Sequence, residues 1–140
     1  MKQVFDLIRQ RWVAATPEEV VRQTWILRMI GDLKFPKELL AVERELKELP
    51  HLIGTRPLPT RRIDLLSFMK KNDTVQPLLL IECKEAELTQ EALDQALSYN
   101  HYVKAPFVAI VNQNQIRFQY QQQEIATLPS YVELIGVLHG

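Results

Sequence analysis

The stretch that decides the reading is PLLLIECKEAEL, residues 77–88. Leu78, Leu79, Leu80 and Ile81 form a continuous apolar run of the length a buried β-strand needs. The run ends in Glu82, Cys83 and Lys84. Strand side chains alternate faces, so Glu82 and Lys84 share one face while Ile81 and Cys83 share the other. A carboxylate and an ammonium therefore close a strand that has entered a hydrophobic core.

The neighbouring stretch upstream, RRIDLLSFM (61–69), reads as a second strand, joined to the first by KKNDTV (70–75). A turn centred on Asp73 sets Asp64 opposite Glu82, and Arg62 opposite Lys84, on one face of the pair. Asp64 is itself out of place among Ile63, Leu65, Leu66 and Phe68, because aspartate is depleted in strands and a buried carboxylate without a partner is costly. Two carboxylates this close repel, so the sequence predicts that Asp64→Asn leaves the metal-free protein no less stable. A divalent cation removes the conflict. Mg²⁺ takes oxygen ligands, commonly one or two carboxylates with water and phosphate completing its shell. An E-x-K tripeptide alone is more often an exposed salt bridge worth ~0–1 kcal/mol; Asp64 in register with it turns the balance towards a site.

Around this pair the chain reads as helices followed by strands. VFDLIRQRWV (4–13) has apolar residues at helical spacing and predicts a short first helix. TPEEVVRQTWILRMIGD (16–32) predicts a second, with Thr16 as N-cap, Pro17 at the first position and Glu19 completing a capping box. Val20, Val21, Trp25, Leu27 and Met29 are its expected buried side, and Gly31 its end. Both tryptophans, Trp12 and Trp25, are expected in the core. FPKELLAVEREL (35–46) fits a helix through Leu39, Val42 and Leu46, and a strand through Val42, Arg44 and Leu46. PHLIGTRPLPTRR (50–62) is a loop or irregular edge. A helix over LTQEALDQALSYNHYVK (88–104), a buried strand at PFVAIVN (106–112), a half-exposed strand at QIRFQYQQQ (115–123) and a short helix at SYVELIGVLHG (130–140) complete an α/β domain with a mixed sheet.

Composition narrows the class. A chain of 140 residues is one domain in length, and 46% apolar with 24% charged residues is ordinary for a soluble globular protein. With 17 basic and 17 acidic residues no global field draws in a polyanion, so a basic footprint must be local. Residues 51–71 carry Arg56, Arg61, Arg62, Lys70 and Lys71 against Asp64 alone, whereas residues 85–94 carry Glu85, Glu87, Glu91 and Asp94 with no base. The single cysteine, Cys83, excludes an internal disulfide, and His51 and His101 form no zinc pattern with it. No apolar run reaches membrane-span length, so no membrane partner is expected and the default location is cytoplasmic. None of Gly31, Gly54, Gly136 and Gly140 precedes a lysine, so no phosphate-binding loop for ATP is present in these residues.

Asp64 followed by Glu82-Cys83-Lys84 resembles the D…(D/E)-x-K signature of the PD-(D/E)xK nucleases. KFPKELLAVEREL, RRIDLLSF, PLLLIECKEAEL and DQALSYNHYVKAPFVAIVN, in that order, are similar to the N-terminal nuclease domain of type I restriction endonuclease R subunits and to its small stand-alone relatives. The resemblance spans residues 17–120. It implies a restriction-endonuclease-like α/β core, a mixed central sheet flanked by helices, with residues 1–140 as one domain, N-terminal helices over about 1–32 and the nuclease core over about 35–121. It further implies Mg²⁺, with Mn²⁺ as substitute, held by Asp64, Glu82 and the Cys83 carbonyl. Lys84 would be the catalytic lysine and Glu43 the upstream acidic residue, with Glu45 its rival on the same face. Gln95 and Tyr99 match a Q-x-x-x-Y element placed on one helix face. The implied partner is DNA, with a homodimer or a second subunit to target it, and no ATP. Ile63 stands where the signature has proline. The alternatives are a catalytically inactive DNA- or protein-binding module of the same fold, and a structural subunit whose Glu82–Lys84 pair is only a surface bridge.

Overall fold

In the computed structural model, which describes residues 2–55 and 57–139, the expected first helix is a β-hairpin: β1 (Gln3–Asp6) antiparallel to β2 (Arg11–Ala14). Helical spacing misleads here because Asp6 is a turn residue. Its Oδ1 accepts hydrogen bonds from the Ile8 and Arg9 amides at 2.7 and 2.9 Å, offering the backbone an alternative to helix. Val4 then pairs with Val13 and Phe5 with Trp12, residues that favour a pleated surface. Trp12 lies edge-on to Phe5 and is 63% exposed, so only Trp25 of the two tryptophans is in the core.

Helix α1 (Pro17–Gly31) starts as the sequence indicates, with Thr16 Oγ1 accepting from the Glu19 amide. The capping box is only half made, because the Glu19 carboxylate turns instead to Arg9, Arg22 and Gln23. Its buried stripe is Val21, Arg22, Trp25, Ile26 and Met29; Val20 and Leu27, expected inside, are exposed. The ambiguous segment is β3 (Leu40–Glu45), between single 3₁₀ turns at Lys37–Leu39 and Leu46–Glu48. Pairing with the next strand overrides its helix-forming composition.

The central sheet runs β3-β4-β5-β6-β7-β8, with β4 (Arg62–Lys71), β5 (Thr74–Cys83), β6 (Phe107–Val111), β7 (Ile116–Tyr120) and β8 (Gln123–Ile125). All neighbours are antiparallel except β5 and β6, which are parallel and joined through α2 (Gln90–Val103). The chain ends in α3 (Tyr131–His139). This is the α/β, mixed-sheet architecture of a restriction-endonuclease-like core. The sheet is covered on both faces. Val21, Trp25, Ile26 and Met29 of α1 pack with Leu79, Ile81, Cys83, Phe107, Ala109 and Val111. On the other face α2 sets Leu93 and Ala96 against Val108 and Ile110, and Tyr99 and Val103 into a cluster with Leu66 and Leu80.

Two details of register position the site. Near the turn, Phe68 faces Pro77 and Lys71 faces Thr74, one residue away from the register that a turn centred on Asp73 predicts. Pro77 cannot donate a ladder hydrogen bond, and the register shifts between Ser67 and Phe68 beside it. Beyond this bulge Leu66 faces Leu80 and Leu65 faces Ile81, which restores the predicted register and carries Asp64 level with Glu82. On the other side Val42 faces Leu65 and Arg44 faces Ile63, so Glu43 lies level with Asp64. Glu43 itself leaves the ladder with a positive φ of 54°, a conformation that re-aims its side chain.

Candidate active site

Asp64 is the hub. Its Oδ2 accepts the Cys83 amide at 2.8 Å and its Oδ1 accepts Arg22 Nη2 at 2.9 Å. The same Nη2 reaches Glu43 Oε1 at 2.6 Å and Glu18 Oε1 at 3.1 Å, while Nη1 holds Glu19 Oε1 at 2.7 Å. Arg22 is 2% exposed. It is a buried guanidinium surrounded by four carboxylates from α1, β3 and β4. Burial alone would lower its pKa, but Asp64, Glu19 and Glu43 more than reverse that, and it is always charged.

Glu82 lies on the far side of Asp64, 8% exposed, with Oε1 buried and without a donor among the described residues. Burial, together with the Asp64 carboxylate beside it, raises its pKa well above the ordinary glutamate value, and the Lys84 and Arg61 charges only partly offset this. Burial opposes the charge on Asp64 as well. There the Glu82 carboxyl, the Cys83 amide and Arg22 prevail, and Asp64 ends below the ordinary aspartate value. The pair is thus pulled in opposite directions, Asp64 towards its charged form and Glu82 towards its neutral one. Lys84, half-buried, follows directly after β5, with its amide bonded to the Val111 carbonyl at 2.8 Å. No Glu82–Lys84 bridge is found among the described residues.

The remaining expected residues separate. Glu43 joins Asp64 through Arg22, whereas Glu45 turns away to Lys47 and caps the following turn. Tyr99 is 3% exposed, its hydroxyl has no partner among the described residues, and its pKa is raised, first by burial and then by the acidic groups of the site. Arg61 stacks on the Tyr99 ring with its guanidinium carbon 4.4 Å from the centroid. Gln95 is exposed one turn earlier, lining a shallow cavity with Arg61, Glu91, Asp94 and Ser98. It does not join the carboxylates. Arg61 and Arg62 stand at the site end of β4, but Lys70 and Lys71 lie at its other end, at least about 20 Å from Asp64 at strand rise. Arg56 lies outside the described residues.

Sequence reasoning missed Glu18 and Arg22, gave Glu19 only a capping role, and counted Arg61 only as part of a basic stretch. For Arg22 a signal exists: a charge amid the apolar stripe Val21, Trp25, Ile26, Met29 is as misplaced as Asp64 in its strand, with two glutamates at helical spacing before it. The donor set fits a divalent ion. Carboxyl oxygens from Asp64 and Glu82 are hard ligands, and the orphaned Glu82 Oε1 is the kind of buried atom a cation satisfies.

A family model described as type I restriction enzyme R protein N terminus matches residues 17–135, and the chain belongs to that family. No curated protein and no solved structure matches the chain. Among the described residues no helix is long and apolar enough to cross a membrane.

Proposed function

We propose that this member of the type I restriction enzyme R-protein N-terminal family is a Mg²⁺-dependent nuclease that hydrolyses DNA phosphodiester bonds at Asp64, Glu82 and Lys84. The observation that carries the reading is the Asp64–Glu82 pair: two carboxyls on adjacent strands, one accepting the Cys83 amide, the other with a buried oxygen that has no donor among the described residues, and a lysine directly after them. A bound Mg²⁺ would supply Lewis-acid polarisation of the phosphate and a more acidic water. Asp64 is ready to ligate because its charge is already held by the Cys83 amide. Burial works against charge on Glu82, and a cation held there would favour the charged form. Lys84, at the strand end, is placed to hydrogen-bond a phosphate oxygen or the attacking water. Arg61, kept in place by the Tyr99 ring, offers a guanidinium to the backbone phosphate beside the scissile one.

The test is nicking of supercoiled plasmid in Mg²⁺ and in chelator. Asp64→Ala and Glu82→Ala should reduce cleavage to background. Lys84→Ala should lose cleavage while keeping the rise in melting temperature on adding Mn²⁺. Cleavage that survives all three changes places the chemistry elsewhere. Metal binding with no cleavage of single- or double-stranded DNA leaves the inactive binding module.

A further inference from the structure

One nitrogen of Arg22 behaves as a bound ion would. Nη2 carries two hydrogens, yet it contacts Glu43 Oε1 at 2.6 Å, Asp64 Oδ1 at 2.9 Å and Glu18 Oε1 at 3.1 Å. Three acceptors around two hydrogens is not a directional pairing. It is a positive charge seated where carboxylate oxygens converge, and these three residues offer oxygens that all lie within 4.8 Å of one another. The guanidinium is locked from behind, since Nη1 binds Glu19, which Arg9 and Gln23 also hold. On the next strand, on the other side of Asp64 from Glu43, lies Glu82 Oε1, buried and without a donor among the described residues. Asp64 therefore has one flank taken by a fixed cation and one flank facing an unsatisfied oxygen.

Sites with two divalent ions place them about 3.5–4 Å apart. Asp64 is the carboxylate two such ions would share here. We propose that Arg22 occupies the position of the second ion, so that the site takes one divalent cation, on the Asp64–Glu82 side, and uses the guanidinium as its permanent companion charge. The inference rests on reading Asp64 and Glu82 as the holders of that cation. The fixed charge of Arg22 repels a second ion. It also keeps Glu18, Glu43 and Asp64 drawn together before any ion arrives, which lowers the cost of assembling the site.

Counting bound Mn²⁺ by equilibrium dialysis, with electron paramagnetic resonance on the same samples, tests this without any substrate. The parent should bind one Mn²⁺ per chain with the signal of an isolated ion, and Glu82→Gln should lose it. Arg22→Gln should bind two, with the signal of an exchange-coupled pair, whereas Arg22→Lys, which keeps the charge, should stay at one. Two ions on the parent, no gain in Arg22→Gln, or a gain in Arg22→Lys equal to that in Arg22→Gln each overturn the proposal. A parent that binds none overturns the proposal together with the nuclease reading on which it rests. One ion on both overturns the proposal and leaves the nuclease reading standing. Should Arg22→Gln fail to fold in chelator, refolding by Mn²⁺ but not by sodium chloride of equal ionic strength supports the inference, and no refolding in either overturns it.

Discussion

Asp64 and Glu82 are neighbours with opposite demands on the fold. The Cys83 amide and Arg22 Nη2 both donate to Asp64, and both need its charge. Glu82 has a buried oxygen with no donor among the described residues, and burial favours its neutral form. Isosteric amides should therefore separate them. In chelator, Asp64→Asn should cost about 1.5–3 kcal/mol, the worth of hydrogen bonds to a charged group. Glu82→Gln should be neutral or stabilising, since it removes an ionisable group from a place that resists charge. Urea unfolding of the two variants measures both; equal losses would mean that the carboxyls do not divide the roles. Mutual repulsion, which is all the sequence reveals of this pair, predicts no loss for Asp64→Asn. Arg22 reverses the sign. That a distant helix would supply the counter-charge is not readable from residues 61–84, whereas the carboxyls themselves were legible because each interrupts an apolar strand.

At the scale of elements, apolar runs and the Thr16 N-cap were read correctly where burial is one-sided or complete: α1, α2 and β4 to β7 lie where their patterns put them. The patterns failed where local polar chemistry decides, and the N-terminal hairpin shows how. Asp6 is fully buried, and besides the two amides its Oδ2 takes Arg9 Nε at 2.6 Å. Burial works against its charge, but the Arg9 amide and side chain and the Ile8 amide outweigh it and hold the pKa below the ordinary 3.8. A carboxyl with a depressed folded pKa adds stability that is complete above the unfolded value and is lost as pH falls through the folded one. The hairpin should therefore stay formed at pH 5 and loosen as pH drops below 3.8. The Ile8 and Arg9 amide shifts, followed by nuclear magnetic resonance, should titrate with a midpoint below that value. A midpoint at or above it would mean the Asp6 contacts contribute nothing to the hairpin.

Across the whole molecule the order β3-β4-β5-β6-β7-β8 ranks the strands by protection. β5 from Pro77 onward and all of β6 are buried on both faces and lie in the middle, whereas β8 is exposed along its length. The polar run QQQEIA hid that last strand from sequence reasoning, because nothing in it needs burying. The hairpin β1–β2 forms its own two-stranded sheet, and Asp6 is its one fully buried residue. Ile8 of its turn packs against the main core, and its polar tie to the rest runs through Arg9, whose Nη2 binds Glu19 Oε1 at 2.6 Å, the oxygen that also holds Arg22. Regions with few buried contacts open far below the global unfolding free energy, and core strands open only with it. Amide hydrogen exchange should accordingly be fastest in residues 3–14 and 123–125 and slowest in β5 and β6. Arg9→Gln should speed exchange in residues 3–14 while leaving β5 and β6 within about 0.5 kcal/mol of the parent, the usual range for a change away from the core. If β5 and β6 lose protection together with the hairpin, the Arg9–Glu19 contact is part of the cooperative core, and the hairpin has to be counted as a structural member of the site and not as an appendage to it.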